Sequence, residues 1–187
     1  MKKQNSVIAV TGGAGYIGSH TVVQLLEAGN KVIIIDNLSR SDKTLLTSLK
    51  EITGTEIPFY QVDCTNENDL SKVFDENKID AVIHFAAYKA VGESVAKPLD
   101  YYDNNLFSLT TLLRVMLKAG VKNLIFSSSC TVYGEPDLVP VTEQSPTKPA
   151  NSPYGATKQM CERILEDVVA LGINAVSLRY FNPIGAH

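Results

Sequence analysis

At 187 residues, with 44% hydrophobic and 20% charged side chains, the chain suits one globular domain with a sizeable core. A net charge of -3 and no run of five or more like charges exclude a basic face for nucleic acid. Cys64, Cys130 and Cys161 are too scattered for a disulfide framework or metal site, and "VIAV" after the N-terminal lysines is too short for a signal peptide or membrane span, so a cytoplasmic, reducing compartment is expected.

The first predicted strand, "SVIAVT" (6–11), runs into "TGGAGYIG" and a helix near 16–28. Gly-x-Gly-x-x-Gly is satisfied by Gly13, Gly15 and Gly18, and Gly-x-x-Gly-x-x-Gly by Gly12, Gly15 and Gly18. Lacking side chains, such a turn lets the backbone approach a pyrophosphate, whose charge meets the free N–H groups of the helix start. The second strand, "KVIIID" (31–36), ends on Asp36, eighteen residues after Gly18. A carboxylate there accepts hydrogen bonds from an adenosine ribose and repels a 2'-phosphate, which favours NAD over NADP. Arg40 and Lys43 follow closely and weaken that preference slightly, although a solvated loop accounts for them.

Further along, a helix near 42–53, a strand at 57–62, a helix near 66–77 and a strand at 80–85 continue the alternation. A helix near 100–119 and a strand at 123–128 follow. The latter enters the serine row "SSSCTVYG" (127–134). The loop 134–152 carries four of the eight prolines and is long enough to be functional rather than a linker. A helix near 153–171 and a strand at 174–180 complete the pattern. Several strands are apolar without alternation, as strands covered on both faces are. The pattern predicts an α/β fold: a Rossmann-like, doubly wound parallel sheet of about six strands with helices on both faces. Ligands of such sheets bind beyond the carboxyl ends of the strands.

The last helix opens "SPYGATK". Ser152 suits the N-cap and Pro153 the first helical position. Tyr154 then falls in the first turn, with Lys158 on the same face four residues on. The spacing alone is weak, since so many tyrosines and lysines produce it by chance. At a ligand-binding strand edge, an ammonium and a helix N-terminus beside a phenol would lower its pKa from about 10 towards neutrality and make it a usable base.

"TGGAGYIGSH", "IDNLSRS", "VIHFAAYKAVGESV", "PLDYYDNN", "FSSSCTVYG", "SPYGATK" and "LRYFNPIGAH" together resemble the UDP-glucose 4-epimerases, a family of extended short-chain dehydrogenases/reductases. The resemblance implies a tightly held NAD, with Tyr154 as acid/base, Lys158 on the nicotinamide ribose and Ser129 bonded to the sugar 4-hydroxyl. It further implies a cofactor site lined by Gly12, Gly15, Tyr16, Ile17, Gly18, Asp36, Asn37, Asp63, Cys64, Phe85, Ala86, Ala87, Lys89, Asn104 and Phe181. Lys89 and Asn182 would lie near the UDP-sugar.

Two positions depart from the family pattern: "FAGLKAVGES" reads "FAAYKAVGES", and "SSSATVYG" reads "SSSCTVYG". The resemblance also implies pairing into a homodimer through helices 100–119 and 153–171, and a smaller C-terminal substrate domain that residues 1–187 lack. Those residues alone are then expected to form the NAD-binding domain without turnover, with the last strand poorly covered. Two alternatives remain at this stage. A sugar-nucleotide dehydratase would need an acid after the serine row, where Cys130 and Thr131 stand. A dinucleotide-binding module without chemistry would have no use for the Tyr/Lys pair.

Overall fold

The computed structural model describes residues 5–185. Six strands form one sheet: β1 (Val7–Thr11), β2 (Lys31–Ile35), β3 (Phe59–Tyr60), β4 (Ala81–His84), β5 (Asn123–Ser129) and β6 (Asn174–Tyr180). Their spatial order is β3-β2-β1-β4-β5-β6, and each neighbouring pair is parallel. The order reverses at β1, so a crevice opens between the loops after β1 and β4, where a doubly wound sheet takes its ligand.

Among the described residues six α-helices accompany the sheet: α1 (Tyr16–Glu27), α2 (Thr44–Thr53), α3 (Glu67–Glu76), α4 (Val91–Ala96), α5 (Pro98–Ala119) and α6 (Pro153–Val168). Strand β2 shows why its sequence is apolar without alternation. Val32 and Ile34 pack against Val22 and Val23 of α1 and Leu49 of α2. Ile33 and Ile35 belong to the opposite core, with Leu70 of α3, Leu112 and Met116 of α5, and Leu165 of α6. Each such side chain contributes roughly 1.5–3 kcal/mol on burial.

Three elements differ from the expectation drawn from the sequence. The strand expected at 57–62 pairs with β2 only at Phe59 and Tyr60. Pro58 has no N–H to give a ladder, although its carbonyl accepts from Ile34, and Val62 turns back to bond Tyr60. Helix α4 lies in a stretch with no helical expectation; at six residues it is too short to show periodicity. The helix expected over 153–171 ends at Val168 and continues as a short 3₁₀ turn, Val169–Leu171. Edge strand β6 is thinly covered, as expected: Val176 is 56% and Leu178 40% exposed.

Candidate active site

Gly12 takes a left-handed conformation at φ +68 directly after β1, and Gly15 caps α1. A Cβ at Gly18 would lie 2.2 Å from the Gly12 carbonyl oxygen, and one at Gly12 would lie 2.7 Å from Ala86 N. Of the two glycine phases, Gly12-Gly15-Gly18 therefore forms the turn facing the cleft. Gly13 instead packs against Ile34. No acidic residue occupies the first turn of α1, and Tyr16, Ile17 and Gly18 line the cleft there. Their N–H groups have no carbonyl one turn earlier in the helix and suit an anion.

The cleft has a volume of about 580 Å³ and runs along the carboxyl edge of the sheet. Every cofactor and sugar residue implied by the resemblance lines it, from Gly12 and Asp36 to Ser129, Tyr154, Lys158, Phe181 and Asn182. The structure adds residues that the sequence did not single out for it, among them Ser39, Ser41, Tyr88, Glu93, Tyr101 and Ser127.

Asp36 is buried, and its carboxylate is held locally. One oxygen accepts from Ala14 N at 3.1 Å; the other accepts from Leu38 N at 2.9 Å and Ser41 Oγ at 3.0 Å. Asn37 donates to Asp63 at 2.8 Å, joining the ends of β2 and β3. Burial pushes the Asp63 carboxyl up, but hydrogen bonds from Thr65 and Asn37 outweigh it and hold the group below its ordinary range. Cys64 is buried, and its thiol is pushed up to about 12, so it is inert packing at the cleft wall.

At the other end, Ser152 accepts from Gly155 N at 3.1 Å and fixes the start of α6, placing Tyr154 in its first turn. Ser129 ends β5. Lys158 does not act on the phenol as expected, because its ammonium is turned to the end of β5. Lys158 Nζ donates to the Ser127 carbonyl at 2.8 Å and lies 4.7 Å from the centre of the Phe126 ring; it is 5.8 Å from the centre of the Tyr154 ring. Burial raises the Tyr154 pKa above its ordinary value, while the Ser129 hydroxyl pulls it back. Lys158 is itself lowered to about 8 by burial, with Cys161 and Glu162 opposing.

A buried network supports this end. Asn105 accepts from Tyr88 N at 2.8 Å and donates to Tyr88 O at 3.0 Å and Thr157 Oγ1 at 3.1 Å. It thereby ties the loop after β4 to α6. Glu162, one turn beyond Lys158, accepts from Ser128 Oγ at 2.5 Å and from Arg179 of β6 at 2.8 and 3.0 Å. Its i+8 spacing from Tyr154 was the available sequence signal.

Residues 8–187 match the family described as "NAD dependent epimerase/dehydratase family". The chain belongs to that family. It is 56% identical over 182 residues to a UDP-glucose 4-epimerase of Neisseria meningitidis serogroup B, covering 96% of this chain and 54% of the relative. Among solved structures, the UDP-glucose 4-epimerase from Bifidobacterium longum in complex with NAD+ and UDP superposes with a TM-score of 0.95 at 50% identity. That match covers 97% of this chain and 55% of the other. The corresponding enzyme of Stenotrophomonas maltophila, with bound NAD and formylated UDP-arabinopyranose, gives 0.94 at 47% identity, covering 98% and 55%. The chain thus spans about half the length of the relatives it matches.

Proposed function

We propose that residues 1–187 are one NAD-binding catalytic domain of a UDP-glucose 4-epimerase, which interconverts UDP-galactose and UDP-glucose through a 4-keto sugar. The observation that carries this reading is the convergence of Ser129, Tyr154 and Lys158 on the cleft that also contains the glycine turn and Asp36. The Gly12–Gly18 approach fits a pyrophosphate that must come close to backbone, and the adjoining wall at Asp36 and Asp63 fits an adenosine. NAD bound there would supply a hydride acceptor that later returns the hydride to the other face of the same sugar carbon.

The chain's own residues manage the proton and the orientation. Tyr154 as its phenolate, a form that burial disfavours and that the positive charge of a bound NAD would favour, takes the proton of the 4-hydroxyl as the C4–H bond breaks, and returns it when the ketone is reduced from the opposite face. Ser129 orients that hydroxyl. Lys158 is anchored to Ser127 O and positioned for the nicotinamide ribose. Dehydration is disfavoured because the carboxylates lining the cleft, Asp36, Asp63 and Glu93, lie on β2, β3 and α4 sides and are already hydrogen-bonded.

Pairing into a homodimer belongs to the same reading. On α5, Leu99 is 74% and Phe107 55% exposed, and on α6 Met160 is exposed. The cytoplasm suits the three free thiols. Among the described residues no helix is long and apolar enough to cross a membrane.

The test is Tyr154→Phe in the protein carrying its relatives' full length, assayed for UDP-glucose formation from UDP-galactose. Turnover is expected to fall about 10²–10⁴-fold with NAD retained, the range for an acid/base group. Turnover within about threefold of the parent would remove Tyr154 from that role.

A further inference from the structure

The loop after β2 places a guanidinium next to the position that separates NAD from NADP. Asp36 accepts from Leu38 N and Ser41 Oγ, so residues 38–41 curl over its carboxylate and carry Arg40 with them along the cleft wall. An arginine at that place ordinarily accommodates a 2'-phosphate, for which its planar fork is well matched. Here the guanidinium is already engaged. Its Nη2 donates to Glu93 Oε1 at 2.9 Å, and its carbon lies 4.4 Å over the Tyr88 ring. Glu93 is held in turn: its other oxygen lies 3.0 Å from the hydroxyl of the fully buried Tyr101, whose single proton it shares with the Ala90 carbonyl at 2.8 Å.

Strand order gives this pair its place. Arg40 follows β2 and Glu93 follows β4, and these strands flank β1. The ion pair therefore bridges the two sides of the glycine turn. Arg40 is drawn towards α4, with its charge matched by a carboxylate.

We propose that Glu93, with Tyr88 and Tyr101 behind it, withholds Arg40 from the adenosine ribose and so acts as a determinant of NAD over NADP. The proposal rests on the reading of the cleft as a dinucleotide site. With Arg40 neutralised, the charge of Asp36 faces the 2'-position unopposed. Freeing Arg40 would place a phosphate-binding fork beside it.

The test is separate calorimetric titration of NAD and NADP into the 187-residue chain, comparing the parent, Glu93→Gln and the double variant Glu93→Gln/Arg40→Ala. The NADP-to-NAD affinity ratio is expected to rise about twofold to fivefold in Glu93→Gln, the scale set by a partly exposed ion pair. It should return to the parental ratio in the double variant. Tyr88→Leu, which removes the stacking face and leaves Glu93 in place, should move the ratio the same way by less and covers the case in which Glu93→Gln does not fold. An unchanged ratio in the folded variants, or a gain that survives loss of Arg40, overturns the proposal. Failure of the parent to bind either dinucleotide overturns instead the reading of the cleft beneath it.

Discussion

A methyl group at position 18 would sit 2.2 Å from the Gly12 carbonyl oxygen, inside any tolerable contact with backbone. Gly18→Ala is therefore expected to shift the turn, lower the melting temperature and weaken NAD binding at least about tenfold, read by calorimetry and thermal unfolding. His84 gives a second residue-scale expectation. It is buried, lies 2.6 Å from Thr11 Oγ1 and stacks on Phe126; burial first and the Lys158 charge second lower its pKa to about 3. The unfolded chain binds this proton near pH 6.5, the folded chain only near 3. Stability from the neutral ring is therefore complete above about pH 6.5 and is lost progressively as pH falls towards about 3. Urea unfolding should show that loss, with a flatter acid limb for His84→Phe. These two residues differ in legibility. The glycine spacing was readable but its phase was not, because only the fold shows Gly13 against Ile34 and Gly12 against Ala86. The partner of His84 is 73 residues away in sequence.

Helix α6 carries Tyr154, Lys158 and Glu162 on successive turns of one face, and Glu162 clamps that helix to two strands. Through Ser128 it holds the serine row of β5; through Arg179 it holds β6 just before Tyr180 and Phe181. Arg179 also lies 4.9 Å from the centre of the Tyr133 ring. Glu162→Gln leaves a guanidinium with a weaker partner at a largely buried site. A loss of roughly 1–3 kcal/mol in unfolding free energy is expected, below the range for a fully buried pair because Arg179 retains some exposure. An unfolding free energy within about 0.5 kcal/mol of the parent would show the clamp to be dispensable. At this scale the long elements were legible because periodicity and caps agreed, as in Ser152-Pro153 opening α6. Helix α4 and the shortened β3 were not, since six residues show no period and Pro58 interrupts a strand whose composition otherwise fits. The direction of the Lys158 side chain was also beyond the sequence. An i+4 spacing brings two residues to one face, but the buried carbonyl of Ser127 decides where the ammonium goes.

Across the described residues, the carboxyl edge of one parallel sheet gathers groups from all six strands or the loops after them, and from α1, α4, α5 and α6, into a single cleft. That gathering was the most legible feature, because strand-helix alternation alone fixes which ends of the elements meet. Turnover is a separate matter. Relatives are about twice as long, and the binding energy that orients a nucleotide sugar comes largely from contacts remote from its reacting carbon. Residues 1–187 alone are therefore expected to give no measurable epimerisation of UDP-galactose with NAD supplied, in a coupled assay for UDP-glucose. Activity comparable to a relative of full length would show that these residues suffice. The proposed function stands on NAD lying in this cleft against the glycine turn, with Tyr154 beside it. Calorimetric titration of NAD into the 187-residue chain tests it most directly. One dinucleotide per chain is expected, retained in Tyr154→Phe and lost or at least about tenfold weaker in Gly18→Ala. Absence of binding, or binding that Gly18→Ala leaves intact, would contradict it.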